Sequence, residues 1–105
     1  MSNINNLAAV AVGNYVDHLL DAEIVEKAPD RVEHSLDLVA AVRIEEALLR
    51  GINVESCLDS PRKQRVLRTA LKRLAAESRA AADRNGGDEL VATWANAAGA
   101  LAETL

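Results

Sequence analysis

SPRKQRVLRTALKRLAAESRAAADR, residues 60–84, is the stretch that decides how this chain folds. Ser60 before Pro61 reads as a helix start. A serine hydroxyl accepts from a free backbone N–H, and proline at the first helical position has no N–H to lose. Leu67, Leu71, Leu74, Ser78 and Ala81 then recur at intervals of four, three, four and three, a heptad-like seam on one side. Arg65, Arg68, Lys72 and Arg79 fall within about 60° of one another on the opposite side, bordered by Arg62 and Arg73. The pattern predicts an amphipathic helix over 61–84, stopped by Asn85-Gly86-Gly87 and carrying a cationic outer face about 20 Å long.

That helix also organises the charge. From Arg62 to Arg84 there are eight bases against two acids, a local charge of +6. The remainder has four bases against fourteen acids, or −10, so the net charge of −4 describes a dipolar molecule. Charge segregated in this way needs a counterpart: the rest of the chain, a second copy, a protein partner or phosphate.

Outward from this stretch, three more helices are predicted. Downstream, Asp88 caps a helix whose first turn holds Glu89 and whose stripe is Leu90, Trp94, Ala98, Leu101 and Leu105. Trp94 is expected in the core, or as an interface anchor if the chain associates. Ala92, Ala95 and Gly99 make a small-residue side that lets another helix approach closely. Upstream, Gly51–Ser60 is a connector with one helical turn at Val54–Leu58. Before it, a helix runs from Pro29 or Asp30 to Arg50, with Asp30 and Glu33 as a capping pair and Gly51 as its stop. Val32, Leu36, Val39 and Ala47 form one apolar side of that helix, and Leu38, Val42 and Leu49 nearly the opposite one. A helix apolar on two sides is central in its bundle or buried in an oligomer. The first helix is predicted over Asn3–Glu26, with Leu7, Ala11, Tyr15, Leu19 and Ala22 on one face. Gly13 costs that helix about 1 kcal/mol relative to Ala, which close packing would explain.

Length and composition agree with one all-α domain over 1–105, a small antiparallel bundle of about four helices. The chain is 50% hydrophobic but only 2% aromatic, an Ala/Leu/Val composition suited to close-packed helices. So few rings argue against a binder that stacks single-stranded bases. The single Cys57 excludes an internal disulfide and a cysteine-rich zinc site, and reads as a buried small hydrophobe. The apolar run Leu7–Val12 is too short for a membrane span, and Met1–Asn6 lacks the basic start of a signal peptide, so a cytoplasmic location is expected.

Motifs for chemistry are sparse. His18 and His34 lack the convergent partners that a metal needs and are expected on the solvated surface. Ser35 and the Ser56-Cys57 pair have no facing base. Asn85-Gly86-Gly87-Asp88 has neither the lysine nor the preceding strand of a phosphate-binding loop. No catalytic residue, cofactor or metal site is therefore expected, and the chain is not read as an enzyme. Ala47-Leu48-Leu49-Arg50-Gly51-Ile52-Asn53, followed by Cys57-Leu58, resembles the core of the bacterial helix-turn-helix motif. The small Ala permits a close crossing and Gly the sharp turn. That resemblance implies DNA binding through a second helix, but Ser60-Pro61 stands where that helix should continue. Its reading segment, Val54–Asp59, also holds two acids and no base.

The leading expectation is a non-enzymatic protein-interaction module. It would be an adaptor or a small inhibitor of a larger complex, of a type that phages and mobile elements encode, working through charged helix faces. The candidate basic face is Arg62, Arg65, Arg68, Lys72, Arg73 and Arg79. The candidate acidic face is Asp17, Asp21, Glu45 and Glu46. A homodimer is expected through a seam of Leu38, Val42, Leu49, Ala95 and Gly99. The alternative is a nucleic-acid-binding regulator using the basic helix 61–84, supported by the helix-turn-helix-like segment 47–58.

Overall fold

A computed structural model of the chain describes residues 3–84 and 86–105. Among these residues there are six α-helices and no strand: α1 (Asn3–Leu20), α2 (Ala22–Lys27), α3 (Arg31–Leu49), α4 (Val54–Cys57), α5 (Pro61–Arg84) and α6 (Glu89–Glu103). The all-α class expected from the periodicities is found; the count of about four helices is not. The predicted first helix divides at Asp21, whose backbone is extended and whose carboxylate accepts from the Glu23 N–H at 2.9 Å. An aspartate that caps a new helix ends the old one. The helical turn expected in the connector is α4.

The other helix ends follow the sequence signals. Asp30 Oδ1 accepts from the N–H groups of Val32 and Glu33, and Asp88 Oδ1 from those of Leu90 and Val91. Ser60 Oγ accepts from the Lys63 N–H at 3.2 Å, with Pro61 opening α5. Gly51, at φ +85°, closes α3. Its N–H reaches the Leu48 carbonyl, and the next N–H, of Ile52, reaches that of Ala47. This pair of hydrogen bonds needs a left-handed residue, which is why glycine stands there.

The seam of α5 is the middle of the core. Val66, Leu67, Ala70, Leu71 and Leu74 are buried against Leu7, Ala8, Ala11 and Val12 of α1 and Ala40, Ala41, Ile44 and Leu48 of α3. α1 and α3 run antiparallel: the His34 Nε2–H donates to the Leu19 carbonyl near one end of the pair, and Asn5 Nδ2 donates to the Ile52 carbonyl at the other. A β-carbon at Gly13 would stand 2.7 Å from Glu45 Oε2, so the close packing expected at this glycine is with α3. Cys57 is buried, and burial pushes its thiol pKa up.

α6 splits the expected stripe: Ala98 is buried and Leu101 and Leu105 pack against the core, but Leu90 and Trp94 do not. Ala95, Ala98 and Ala102 are its buried residues, whereas Leu90 is 77% and Trp94 41% exposed. Trp94 is thus not a core residue of this chain. The reason is steric. α6 lies along α5, whose facing positions include Ala75 and Ala82. Small side chains on both helices bring the backbones close, and dispersion at short range replaces the burial of large groups. The small-residue side of α6 is used within the chain, by α5.

Candidate functional site

The cationic face of α5 meets two different neighbours. Near its start it meets the acids of α3. Arg62 donates to Asp37 at 2.7 Å and pairs with Glu33 at 2.9 Å; Arg65 reaches Asp37 at 2.8 Å. Two guanidiniums thus converge on one mostly buried carboxylate, and Glu33 followed by Asp37 at i+4 presents both acids on one side of α3. Glu33, then Asp37, raise the Arg62 pKa above its ordinary value by accepting its hydrogen bonds. Lys63 pairs with Asp59 at 2.9 Å, and this contact holds the Asp59 carboxyl below its ordinary pKa. Arg68 donates to the main-chain oxygen of Leu105, which also accepts from Gln64 at 2.7 Å. Arg73 pairs with Glu77 at 3.1 Å within α5.

Two of the six expected basic-face residues remain. Lys72 and Arg79 are exposed and have no ion-pair or hydrogen-bond partner among the described residues. Both line a cleft of 530 Å³ between α5 and α6, with Asn96, Gly99, Ala100 and Glu103 on the far side. A β-carbon at Gly99 would stand 3.4 Å from Arg79 Nη2, so the guanidinium lies over this glycine. Arg68 at Leu105 and Arg79 at Gly99 give α5 and α6 an antiparallel register, which puts Lys72 at the Glu103 end of the cleft.

The acidic residues do not gather as expected. Asp17 and Glu46 are exposed, Asp21 is committed to capping α2, and Glu45 is packed over Gly13, one turn before Asp17 on α1. The acids that engage the basic helix are Asp37 and Glu33; the Glu33 carboxylate, expected to cap α3 together with Asp30, goes to Arg62 instead, and the i, i+4 spacing of the two acids was the available signal. The five expected seam residues do not share a surface. Ala95 is enclosed at 0% exposure, Gly99 lies under Arg79, Leu38 packs against the core, Val42 is half-buried and Leu49 is exposed.

A second cleft, of 410 Å³, gathers Tyr15, His18, Glu33, His34 and Asp37 below the α2–α3 turn. Tyr15 and His18 stack, with ring centroids 6.0 Å apart and planes inclined by 17°. His34 is held by its Nε2–H, which donates to the Leu19 carbonyl, a group that can only accept. Burial and then Asp37 raise the Tyr15 pKa; burial and then Arg73 lower that of His18. No group of three or more His, Cys, Asp or Glu converges on a metal-sized site among the described residues. None of the helices, over the same residues, is long and apolar enough to cross a membrane.

A third hollow escaped the sequence reading. It is an apolar groove between the start of α1 and the outer side of α6, with Trp94 and Ala97 exposed along it. The only advance sign was the second apolar side of the fourth predicted helix. No protein-family model matches this chain, and no curated protein or solved structure is detectably similar to it.

Proposed function

We propose that this chain is a non-enzymatic protein-binding module, an adaptor or small inhibitor of a larger complex of the phage or mobile-element kind. Its binding face is the part of the basic helix that the chain does not itself neutralise. The observation that carries this reading is the fate of the six cations: four are engaged internally, leaving Lys72 and Arg79 on a cleft. A continuous row of free bases would suit a phosphate backbone, where affinity grows with each phosphate neutralised. Two cations beside a shaped cleft suit a protein surface, where charge sets orientation and excludes wrong partners. The one-turn α4, about 6 Å long, gives the helix-turn-helix reading too little to place in a groove. Homodimer formation belongs to the same proposal, supported by Val32, Leu36 and Val39, which leave an apolar strip exposed on α3.

The test combines capture with titration. A photo-crosslinking residue replacing Arg79 is expected to trap a protein partner in cells that contain it, and the Lys72→Glu/Arg79→Glu variant is expected to lose that partner. Fluorescence anisotropy against mixed-sequence duplex DNA and RNA is expected to show no binding at physiological salt. Salt-sensitive binding that disappears in the Arg65/Arg68/Lys72 triple alanine variant overturns the proposal in favour of nucleic acid.

A further inference from the structure

The cationic cleft does not end at α6. Ala100 lines both it and the apolar groove on the other side of that helix. The groove measures 570 Å³ and is walled by Ile4 and Leu7 from α1 and by Trp94, Ala97 and Leu101 from α6. No charged side chain lines it among the described residues. Beyond Trp94 the apolar surface continues into a smaller hollow beside Leu90 and Val91. Trp94 therefore stands as a ridge between two depressions, and the small Ala97 and Ala100 leave room beside it.

We infer that this groove seats one amphipathic helix of the protein partner, apolar side against Trp94, Ala97 and Leu101, with an acidic edge reaching Lys72 and Arg79 across Ala100. The inference rests on the protein-binding reading and names the partner's chemistry. A trough between two helices accepts side chains from a third at i, i+3, i+4 and i+7 spacing. α6, at 15 residues, offers about 22 Å of length, enough for four turns of a partner.

The sign of the partner follows from its neighbours. α1 and α6 contain no lysine or arginine, and across Ala100 two uncommitted cations, Lys72 and Arg79, outnumber one acid, Glu103. Glu103 shares the cleft at the Lys72 end, so Arg79, over Gly99, supplies most of the attraction. A second copy of this chain fits poorly. Its exposed apolar helix strip, Val32, Leu36 and Val39, has Arg43 on its line and Arg31 and Glu46 beside it, a mixed edge rather than the acidic one this cleft calls for. Seating α3 of one copy on α6 of the next also makes a head-to-tail contact that need not close.

The probe is a synthetic helix of about five turns with leucines at heptad spacing and glutamates beside them, lacking Trp, compared with the same peptide carrying lysines. Trp94 is the only tryptophan, so its emission reports the groove directly. The acidic peptide is expected to shift that emission to the blue saturably, and to bind at least about tenfold tighter than the lysine peptide. Arg79→Glu should reverse the preference, Lys72→Glu should weaken it less, and Ala97→Glu, at an exposed position, should abolish binding with helicity unchanged. Equal affinity for both peptides, saturable binding without a Trp94 response, or no response up to about millimolar peptide overturns the inference. So does self-association, seen by sedimentation, that Ala97→Glu removes, because the occupant is then a second copy. A partner crosslinked at position 79 while both peptides fail leaves the protein-binding reading standing and sinks the helical occupant alone.

Discussion

The two halves of α5 carry similar rows of cations and end in opposite states. In the first half, Arg62 and Arg65 are drawn onto Asp37 and Glu33 of α3. In the second, Lys72 and Arg79 look across a cleft at Asn96, Gly99 and Ala100 of α6. The inner sides differ too, with Val66, Leu67, Ala70 and Leu71 beneath the first half and Leu74, Ala75 and Ala82 beneath the second, so that large side chains thin out along the helix. Charge on a helix face is therefore not a property of that helix. Its meaning is set by the helix that folds against it: acids on α3 pair the cations of the first half, and the mostly small residues of α6 leave Lys72 and Arg79 without an ion pair among the described residues.

The largest effect that sharpens this contrast lies inside. Leu67 is fully enclosed, so Leu67→Ala should cost about 3 kcal/mol, measured by urea unfolding. A cost below about 1 kcal/mol would mean that the first half of α5 is not the packed half. Next comes the charge network. Asp37→Ala leaves Arg62 and Arg65 without their shared carboxylate and is expected to lower Tm by about 5 °C. Arg79→Ala should change stability by no more than about 0.5 kcal/mol, as a surface change without a partner does. If Arg79→Ala destabilised as much as Asp37→Ala, the division of α5 into a structural and a free half would be broken.

A smaller effect of opposite sign comes from Gly99. In mid-helix, glycine is less favourable than alanine by about 1 kcal/mol. A methyl group there would touch Arg79 Nη2 at an ordinary 3.4 Å, and that guanidinium is the mobile end of an exposed side chain. Gly99→Ala should thus stabilise the chain by about 0.5–1 kcal/mol. Gly13→Ala should gain less, because its methyl group would stand 2.7 Å from Glu45 Oε2 and displace a carboxylate packed between α1 and α3. Equal gains at both glycines would show that Glu45 is as free to move as Arg79.

The sequence made the local structure legible because local structure depends on neighbours in the chain. Ser60-Pro61, Asp30, Asp88 and Gly51 mark helix ends by the bonds they make within four or five residues, and each does so here. Asp21 was missed as a cap because it follows an unbroken apolar stripe. The site was less legible because it depends on which helices meet. Periodicity put Leu90 and Trp94 on the core side of α6, yet the close approach of α5 selected the alanine side. A wheel shows that a helix has two apolar sides without showing which one its own chain will take. The same limit hid Asp37: its acidity was plain, and its position beneath Arg62 and Arg65 was a consequence of the fold.

The smallest predicted effect tests the border between the two halves. Arg73 stands there, paired with Glu77 and near the stacked rings of Tyr15 and His18. Burial and then Arg73 disfavour a proton on His18, with a further contribution from His34, against the opposing pull of Asp21 and Glu77. The folded pKa therefore lies below the ordinary 6.5. Between those two values the unfolded chain binds more protons than the folded one, so stability rises with pH across that window. The contribution of His18 is complete above the ordinary value and is lost as pH falls through the folded one. Unfolding free energies measured on both sides of this window should therefore decline on acidification, and His18→Gln should flatten part of the decline. Arg73→Gln should flatten it too by removing the nearby positive charge. An increase in stability on acidification that His18→Gln abolishes would mean that Asp21 and Glu77 govern the ring. The border would then belong to the acids of α1–α2 and α5 rather than to the cationic face.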